Sequence, residues 1–397
     1  MKVLVLNAGS SSIKYQLIDS QSEESLIRGR VEEIGSNSSP IIYKTGEIEE
    51  QDTAKVKSHS SAIDFALKSI LKSGVIGSLE EIEAVGHRVV HGGERFKETQ
   101  LITDEVLDAI EELIDLAPLH NPHNLAGIQA CIEHLPEVPN YGVFDTAFHS
   151  TLPKKAFLYG LPYELYTQHG IRKYGFHGIS HKYVSHQAMR LLEEDIKDFK
   201  IITNHLGNGS SICAVNCGKS VETSMGFTPL DGLMMGTRSG SFDPEIIPYL
   251  VRRKGYSIEE VEELMNKRSG LMGISNYTSD VRNLREEELE GNESARLALE
   301  MFVYRVQKYI GSHTAAMGGV DVIVFTGGIG ERAHYLRRLI CLNFAFLGLK
   351  LDIHSNRAND TIISTKDSPI IAMVVPTNEE LQIVREIRDL MSREHSL

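Results

Sequence analysis

Two arginines stand where a guanidinium fork could meet a small anion. Arg238 lies in GTRSG (236–240) among small neighbours that leave room around it, and Arg88 in GHRVVHGGE (86–94) directly precedes Val89 and Val90. A planar fork of N–H donors matches a carboxylate or a phosphoryl group; the alternative, a surface cation, is less persuasive for Arg238 because glycine-rich surroundings rarely serve to support a solvated side chain. His177, in RKYGFHGISH (172–181), sits in a polar, glycine-flanked stretch. There an imidazole could donate to developing negative charge or serve as a satisfied structural histidine. The pairs His87/His91 and His177/His181 have i, i+4 spacing, but neither contains the glutamate of HExxH, so zinc is rejected. Asp145, in VFDTAFH (143–149), ends an apolar strand and reads either as a site carboxylate or as a cap for a helix from Thr146 onward.

Four glycine-rich stretches follow or border apolar strands: NAGSSSIK (7–14), HLGNGSS (205–211), MGTRSGSFDP (235–244) and TGGIGER (326–332). Glycine lets backbone N–H groups approach phosphate oxygens, and the hydroxyls add donors. Each stretch alone also reads as a tight turn. None matches GxxxxGK[ST], and GNGSSI (207–212) lacks the last glycine of GxGxxG. Four in one chain point to a nucleotide held between two lobes.

These groups need elements to position them. Val3–Leu6 is an apolar run leading into NAGSSSIK, and Tyr15–Asp19 alternates, which predicts strand, tight turn, strand. Ile201–Val215 has the same form, and laying Ser11-Ser12-Ile13 on Ser210-Ser211-Ile212 at an offset of 199 suggests an internal duplication. Thr103 can cap a helix with an acidic first turn (Asp104, Glu105) that ends before Pro118. Val138–Phe144 and Asp321–Phe325 read as strands, and Glu293–Met317 as a long helix with Leu297, Phe302, Val306, Ile310 and His313 near one face. Glu47–Ser61 reads as a mobile loop or a polar edge. Thr377 and Glu380 have capping-box spacing before a last helix; Glu379 is then left to face a site or to complement the helix dipole in solvent. Strands alternating with helices indicate an α/β protein.

Composition narrows the partners. With 41 Lys plus Arg against 54 Asp plus Glu, the net charge of −13 disfavours nucleic acid and anionic membranes. No run approaches a membrane span, and the N-terminus lacks a signal-like apolar region, so a cytoplasmic protein is expected. Four cysteines (Cys131, Cys213, Cys217, Cys341) form no CxxC pair and read as free thiols.

NAGSSSIK, GHRVVHGGE, FDTAFH, RKYGFHGISH, NHLGNGSS, GTRSG through Asp243-Pro244, FTGGIGE and TNEE, in that order, resemble the acetate and short-chain acyl kinase family. The resemblance implies a two-domain α/β actin-like ATPase fold with a duplicated core around an ATP cleft, and a homodimer. It implies an N-terminal lobe (1–150) on the acyl side, with a helix at about 381–397 packing back, and a C-terminal lobe (151–380) for nucleotide and dimer contacts. It further implies ATP + acetate ⇌ ADP + acetyl phosphate with Mg²⁺ or Mn²⁺. By similarity, Asn7 and Glu379 lie near the metal. ATP would meet Lys14, His205, Leu206, Gly207, Asn208, Gly209, Asp280, Val281, Arg282, Gly328, Ile329, Gly330, Glu331 and Arg332. Arg88 would bind the acyl carboxylate, Asp145 would sit beside the attacking oxygen, and His177 and Arg238 would stabilise the transferring phosphoryl group. Val90, Leu119, Phe176 and Pro229 would line the acyl pocket.

Chemistry supports this division. Acetate is a weak anionic nucleophile approaching another anion, so charge neutralisation and in-line alignment are the main needs. A carboxylate carries no proton at pH 7, which favours a positioning or metal-linked role for Asp145 over strong base catalysis. Where many relatives read GTRSGDxDP, this chain has Ser241-Phe242, so a carboxylate is missing three residues after Arg238. The alternatives are a propionate kinase, differing by one methylene in the pocket, and an ATP-gated interaction module on the same fold.

Overall fold

Val3 to Leu6 is buried without a break because strand β1 (Lys2–Ala8) is paired on both edges and covered on both faces. The computed structural model describes residues 1–394 and divides into two units, Met1–Phe148 with the chain from Asn378 onward, and His149–Thr377.

The first unit holds an eight-stranded sheet. Its strands are β1, β2 (Ile13–Asp19), β3 (Ser25–Val31), β4 (Ser39–Thr45), β5 (Ile48–Ala54), β6 (Ala84–Val89), β7 (Gln100–Leu101) and β8 (Asn140–Phe144). Their order is β5-β4-β3-β2-β1-β6-β8-β7. Leu4, Leu6, Leu17 and Ile27 pack on one face with Ile63, Ala66 and Ile70 of the helix His59–Lys72. The helix Glu379–Glu394 lies against the other face, so close that a Cβ on Gly86 would come 2.6 Å from Ile383 Cγ2 and 2.7 Å from Ile387 Cδ1. Glycine is what permits that approach. The polar Glu47–Ser61 stretch supplies β5, an exposed edge strand whose Glu49 and Glu50 discourage further strand pairing.

The second unit holds β9 (Lys200–Leu206), β10 (Ser210–Asn216), β11 (Lys219–Thr223), β12 (Val322–Thr326) and β13 (Ile371–Val374), in the order β11-β10-β9-β12-β13. Two antiparallel pairs are followed by two parallel ones, as in β3-β2-β1-β6-β8 of the first unit. The core is therefore duplicated, as the actin-like ATPase fold requires. The two hairpin loops differ in length, residues 9–12 against 207–209, so no single offset maps both strands of one onto the other.

Three local expectations are corrected. The helix Glu293–Met317 has the expected limits, but Leu297 is 50% exposed; the buried stripe runs through Ala298, Leu299, Phe302, Val306, Ile310 and His313. The helix from Asp104 ends at Glu112 and continues as a 3₁₀ turn, Leu113–Leu116, while the Thr103 hydroxyl donates to Glu105 rather than receiving a helix N–H. At the last helix the cap is Asn378, whose Oδ1 accepts from Leu381 N at 3.0 Å. The Thr377 hydroxyl is instead bonded to Ser180 Oγ at 2.8 Å. Moving the cap by one residue places Glu379 and Glu380 at the first two helical positions.

Two buried histidines make stability pH-dependent. Burial pushes His87 down to about 4, against its bond to Asn140, and His313 down to about 3. Their unfolded values lie near ~6.5, so below that pH the unfolded chain binds more protons and stability is lost as pH falls towards 4. The slope is at most about 1.4 kcal/mol per pH unit for each histidine. Urea midpoints measured from pH 7 to pH 4.5 should fall, and His87→Gln should flatten the curve; an unchanged slope would remove His87 as a source.

Candidate active site

In the first unit, β6 and β8 run side by side in parallel with Arg88 opposite Val143, and the Asp145 N–H donates to Val89 O at 2.9 Å. Arg88 and Asp145 thus emerge at the carboxyl ends of neighbouring strands, the edge of an α/β sheet where ligands bind. Arg88 Nε and Nη2 donate to Asp145 Oδ1 and Oδ2 at 3.1 and 2.6 Å, and Nη1 lies 3.4 Å from Glu379 Oε2. The Asp145 side chain is 2% exposed. Burial works against the Arg88 charge, but Asp145 and then Glu379 outweigh it and hold the guanidinium charged, well above the usual arginine value. Burial pushes the Glu379 carboxyl up; Arg88 opposes this and Asp145 adds to it. Glu380 is also raised, chiefly by burial.

β1 and β2 place Asn7 opposite Lys14, and Lys14 opens onto a groove of about 380 Å³ that Glu380 also lines. Two asparagines that sequence reasoning passed over hold this end together. Asn124 accepts from Val90 N at 3.0 Å and donates to Ala8 O at 2.8 Å, tying the strand after Arg88 to the first glycine turn. Asn121 makes a reciprocal pair with the His91 backbone at 3.2 and 3.1 Å. Both lie in NPHN (121–124), where the only local signal is that of a helix start. Of the expected acyl-pocket residues, Val90 and Leu119 belong to this unit, with Leu119 56% exposed; Phe176, which is buried, and Pro229 belong to the other.

In the second unit the glycine stretches gather around the end of β9. His177 precedes the helix Gly178–Leu192 with φ 57°, a left-handed conformation unusual for histidine, and its Nδ1 is 2.8 Å from Ser211 Oγ. The rings of His177 and His205 lie with centroids 4.3 Å apart, tilted by 30° to each other. A methyl group on Gly209 would lie 3.5 Å from His177 Nε2 and 3.8 Å from Arg238 Nη1, so imidazole and guanidinium converge over this turn. Gly236 N donates to Asn208 O at 3.0 Å, which docks the GTRSG loop on the β9–β10 turn. Arg238 is half-buried, burial lowers its pKa, and among the described residues no carboxylate pairs with it.

The TGGIGER stretch leaves β12 through Gly327 (φ 75°) into a short helix, Gly327–Arg332. A Cβ on Gly327 would meet Leu206 O at 2.7 Å, so this turn also abuts the end of β9. Glu331 Oε1 accepts from Gly327 N and Thr377 N at 3.1 and 3.3 Å, bracing its own loop. The buried Arg337, absent from the sequence reading, donates to Gly330 O and Glu331 O at 2.7 and 2.8 Å and is anchored by Asn356 and Asn359. Tyr335 hydroxyl donates to Val281 O at 3.1 Å, bringing Asp280–Arg282 to the same region. There Asp280 caps its helix through Arg282 N and pairs with the Arg282 guanidinium. Leu206 and Val281 are buried.

The model of the acetokinase family matches residues 2–385. The chain belongs to the acetokinase family. It is 54% identical over 396 residues to the acetate kinase of Thermoanaerobacterium thermosaccharolyticum, covering 98% of this chain and 99% of the relative. It is 52% identical over 391 residues to that of Halothermothrix orenii, covering 97% and 98%. Among solved structures, acetate kinase from Porphyromonas gingivalis matches with a TM-score of 0.94 at 44% identity, over 98% of this chain and 99% of that one. A propionate kinase from Francisella tularensis subsp. tularensis SCHU S4 matches with a TM-score of 0.91 at 44% identity, over 97% and 98%.

In this acetokinase the Ser241-Phe242 departure leaves the GTRSG loop well anchored. Ser241 Oγ donates to Asp231 Oδ1 at 2.6 Å, lies 2.7 Å from Tyr309 hydroxyl, and accepts from Gly232 N at 3.0 Å. Asp231 thus supplies a carboxylate beside position 241. Ser241→Ala, which strips three partners from one half-buried point, should cost about 1–3 kcal/mol in urea denaturation. An unchanged midpoint would show that the loop is held elsewhere.

Proposed function

We propose that this chain catalyses the reversible transfer of the γ-phosphoryl group of ATP to acetate, giving acetyl phosphate and ADP. The observation that carries the reading is Arg238: a half-buried guanidinium that pairs with no carboxylate among the described residues and converges with His177 over a glycine turn. A cation left unpaired in such a place is best satisfied by an anion that arrives and departs. Membership of the acetokinase family supports the same reaction.

An acetate oxygen attacks the γ-phosphorus in line while its bond to the oxygen bridging to the β-phosphate breaks and ADP leaves. Arg238 and His177 face charge on the equatorial oxygens. Lys14, the 205–209 turn, Asp280–Arg282 and Gly328–Arg332 serve ATP. Val90, Leu119, Phe176 and Pro229 serve the acyl group. Arg88 neutralises the acetate carboxylate. Its Nε and Nη2 already bind Asp145, so acetate would take the outward N–H groups of Nη1 and Nη2. With both oxygens on Arg88, Asp145 orients the fork, and no proton leaves acetate in this direction.

Mg²⁺, bound with the nucleotide, would neutralise phosphate charge. Among the described residues no group of three or more His, Cys, Asp or Glu could hold a metal unaided. Mg²⁺ needs only one or two protein ligands beside waters and phosphates. Glu379, a half-buried carboxylate crowded by Asp145, fits such an ion, with Asn7 as a neutral oxygen donor.

No helix among the described residues is long and apolar enough to cross a membrane, in keeping with a cytoplasmic enzyme. Exposed Ile246, Tyr249, Tyr256 and Ile258 of the second unit offer apolar surface for a homodimer, which sedimentation would test. Purified protein should form acyl hydroxamate from ATP, Mg²⁺ and acetate in hydroxylamine. ATP binding without hydroxamate from acetate or propionate would sink the kinase reading and favour an ATP-gated interaction module. Comparing kcat/KM for acetate, propionate and butyrate decides the acid. The equal identity to an acetate and a propionate kinase structure keeps propionate as the second reading.

A further inference from the structure

Three fully buried side chains that no step above uses form a hydrogen-bonded chain ending on His177. His181, one helical turn beyond His177, has Nδ1 2.7 Å from Thr203 Oγ1 and Nε2 2.7 Å from Ser211 Oγ. Ser211 Oγ is in turn 2.8 Å from His177 Nδ1. Burial and the neighbouring histidines push His181 well below the usual histidine value, so this imidazole is neutral and carries one N–H. Ser211 owns one proton: it can donate to one imidazole only and must accept from the other.

Two proton arrangements satisfy the whole chain. In the first, Thr203 donates to Cys213 O, a long 3.5 Å contact, and accepts from His181 Nδ1–H. Ser211 then donates to His181 Nε2 and accepts from His177 Nδ1–H, so the Nε2 of a neutral His177 carries no hydrogen. In the second, Thr203 donates to His181 Nδ1, His181 Nε2–H donates to Ser211, and Ser211 donates to His177 Nδ1. The single hydrogen of a neutral His177 then sits on Nε2, the atom that converges with Arg238 over Gly209. The second arrangement gives up only the weak Thr203 bond.

We propose that Thr203, His181 and Ser211 are positioning residues that set the tautomer of His177, so that a neutral imidazole offers Nε2–H to the transferring phosphoryl group. An anion over Gly209 is attracted by an N–H and repelled by a lone pair, so its arrival selects the second arrangement. Each imidazole and each hydroxyl holds one hydrogen in both arrangements, so the charge is the same in both, and each imidazole changes tautomer by exchanging its hydrogen with water. The device supplies a donor without adding a positive charge beside the Arg238 guanidinium, where a second cation would be disfavoured.

The inference rests on the assignment of His177 to the phosphoryl group, and the tests separate the two. His177→Ala should lower kcat about 10²–10³-fold, as loss of a charge-stabilising donor does. Thr203→Val removes the distant hydroxyl at nearly constant volume, and should lower kcat about tenfold with KM for ATP and acetate unchanged; Thr203→Ser should restore it. Ser211→Ala should lower kcat further in the same KM-independent way. If His177→Ala is silent, the His177 assignment fails and the relay falls with it. If His177→Ala is damaging while Thr203→Val and Ser211→Ala keep full kcat, the relay alone is overturned. Nitrogen-15 spectra of histidine-labelled wild-type protein with Mg²⁺ and a non-hydrolysable ATP analogue require no variant. A neutral, Nε2-protonated His177 supports the proposal, and an imidazolium or an Nδ1–H tautomer overturns it.

Discussion

Arg238→Ala will lower kcat by about three orders of magnitude while leaving the ATP dissociation constant within about threefold, the pattern of a lost phosphoryl-stabilising arginine. Arg238 makes no ion pair among the described residues, so its removal exposes no orphaned protein carboxylate and the fold should survive. The loop that carries it is held independently, by Gly236 on Asn208 and Ser241 on Asp231. A charge that matters only when the γ-phosphoryl group is in transit contributes little to ground-state binding, which is why kcat and affinity should separate. Single-turnover kinetics and calorimetric ATP titration check this. A loss of ATP affinity as large as the loss of kcat would reassign Arg238 to nucleotide binding.

Arg88→Ala is expected to act on both substrate and fold. Acetate KM should rise at least about a hundredfold, the scale of losing a charge-assisted bidentate contact. Stability should fall by about 3–5 kcal/mol, because the buried Asp145, 2% exposed, and the half-buried Glu379 would be left facing each other without their guanidinium. Arg88→Lys should recover part of the stability but little of the acetate affinity, since an ammonium cannot span two carboxylate oxygens while facing a third group. Urea denaturation and initial-rate kinetics separate the two effects. An unchanged acetate KM would remove Arg88 from the acid site, and an unchanged urea midpoint would deny the Asp145 pair its structural weight.

Much of the fold was legible because its signals are local. The hairpins around NAGSSSIK and HLGNGSS, the limits of Glu293–Met317 and the polar edge at β5 follow from apolar runs, turn residues and caps within a few positions. Errors came where neighbours in space decide. Leu297 fits the helical period but faces solvent because the sheet below is met by Ala298 and Phe302. Thr377 has the right spacing for a cap, yet Ser180, 197 residues away in sequence, takes its hydroxyl and Asn378 caps instead.

The amino-acid sequence by itself determined which chemistry was available. It carries glycine turns after apolar strands, a guanidinium among small residues, a histidine between glycines and an acid at the end of a strand, in the order of one family. Only the tertiary structure decided which groups meet. Arg88 and Asp145 are joined across 57 residues by a parallel strand register, and Arg337 grips the turn before it. Ser211 is placed between two imidazoles by an antiparallel hairpin and a helix from a different part of the chain. The physical reason is that pairing depends on register and burial. These are set by contacts remote in sequence, and a shift of one residue turns every side chain of a strand to the opposite face.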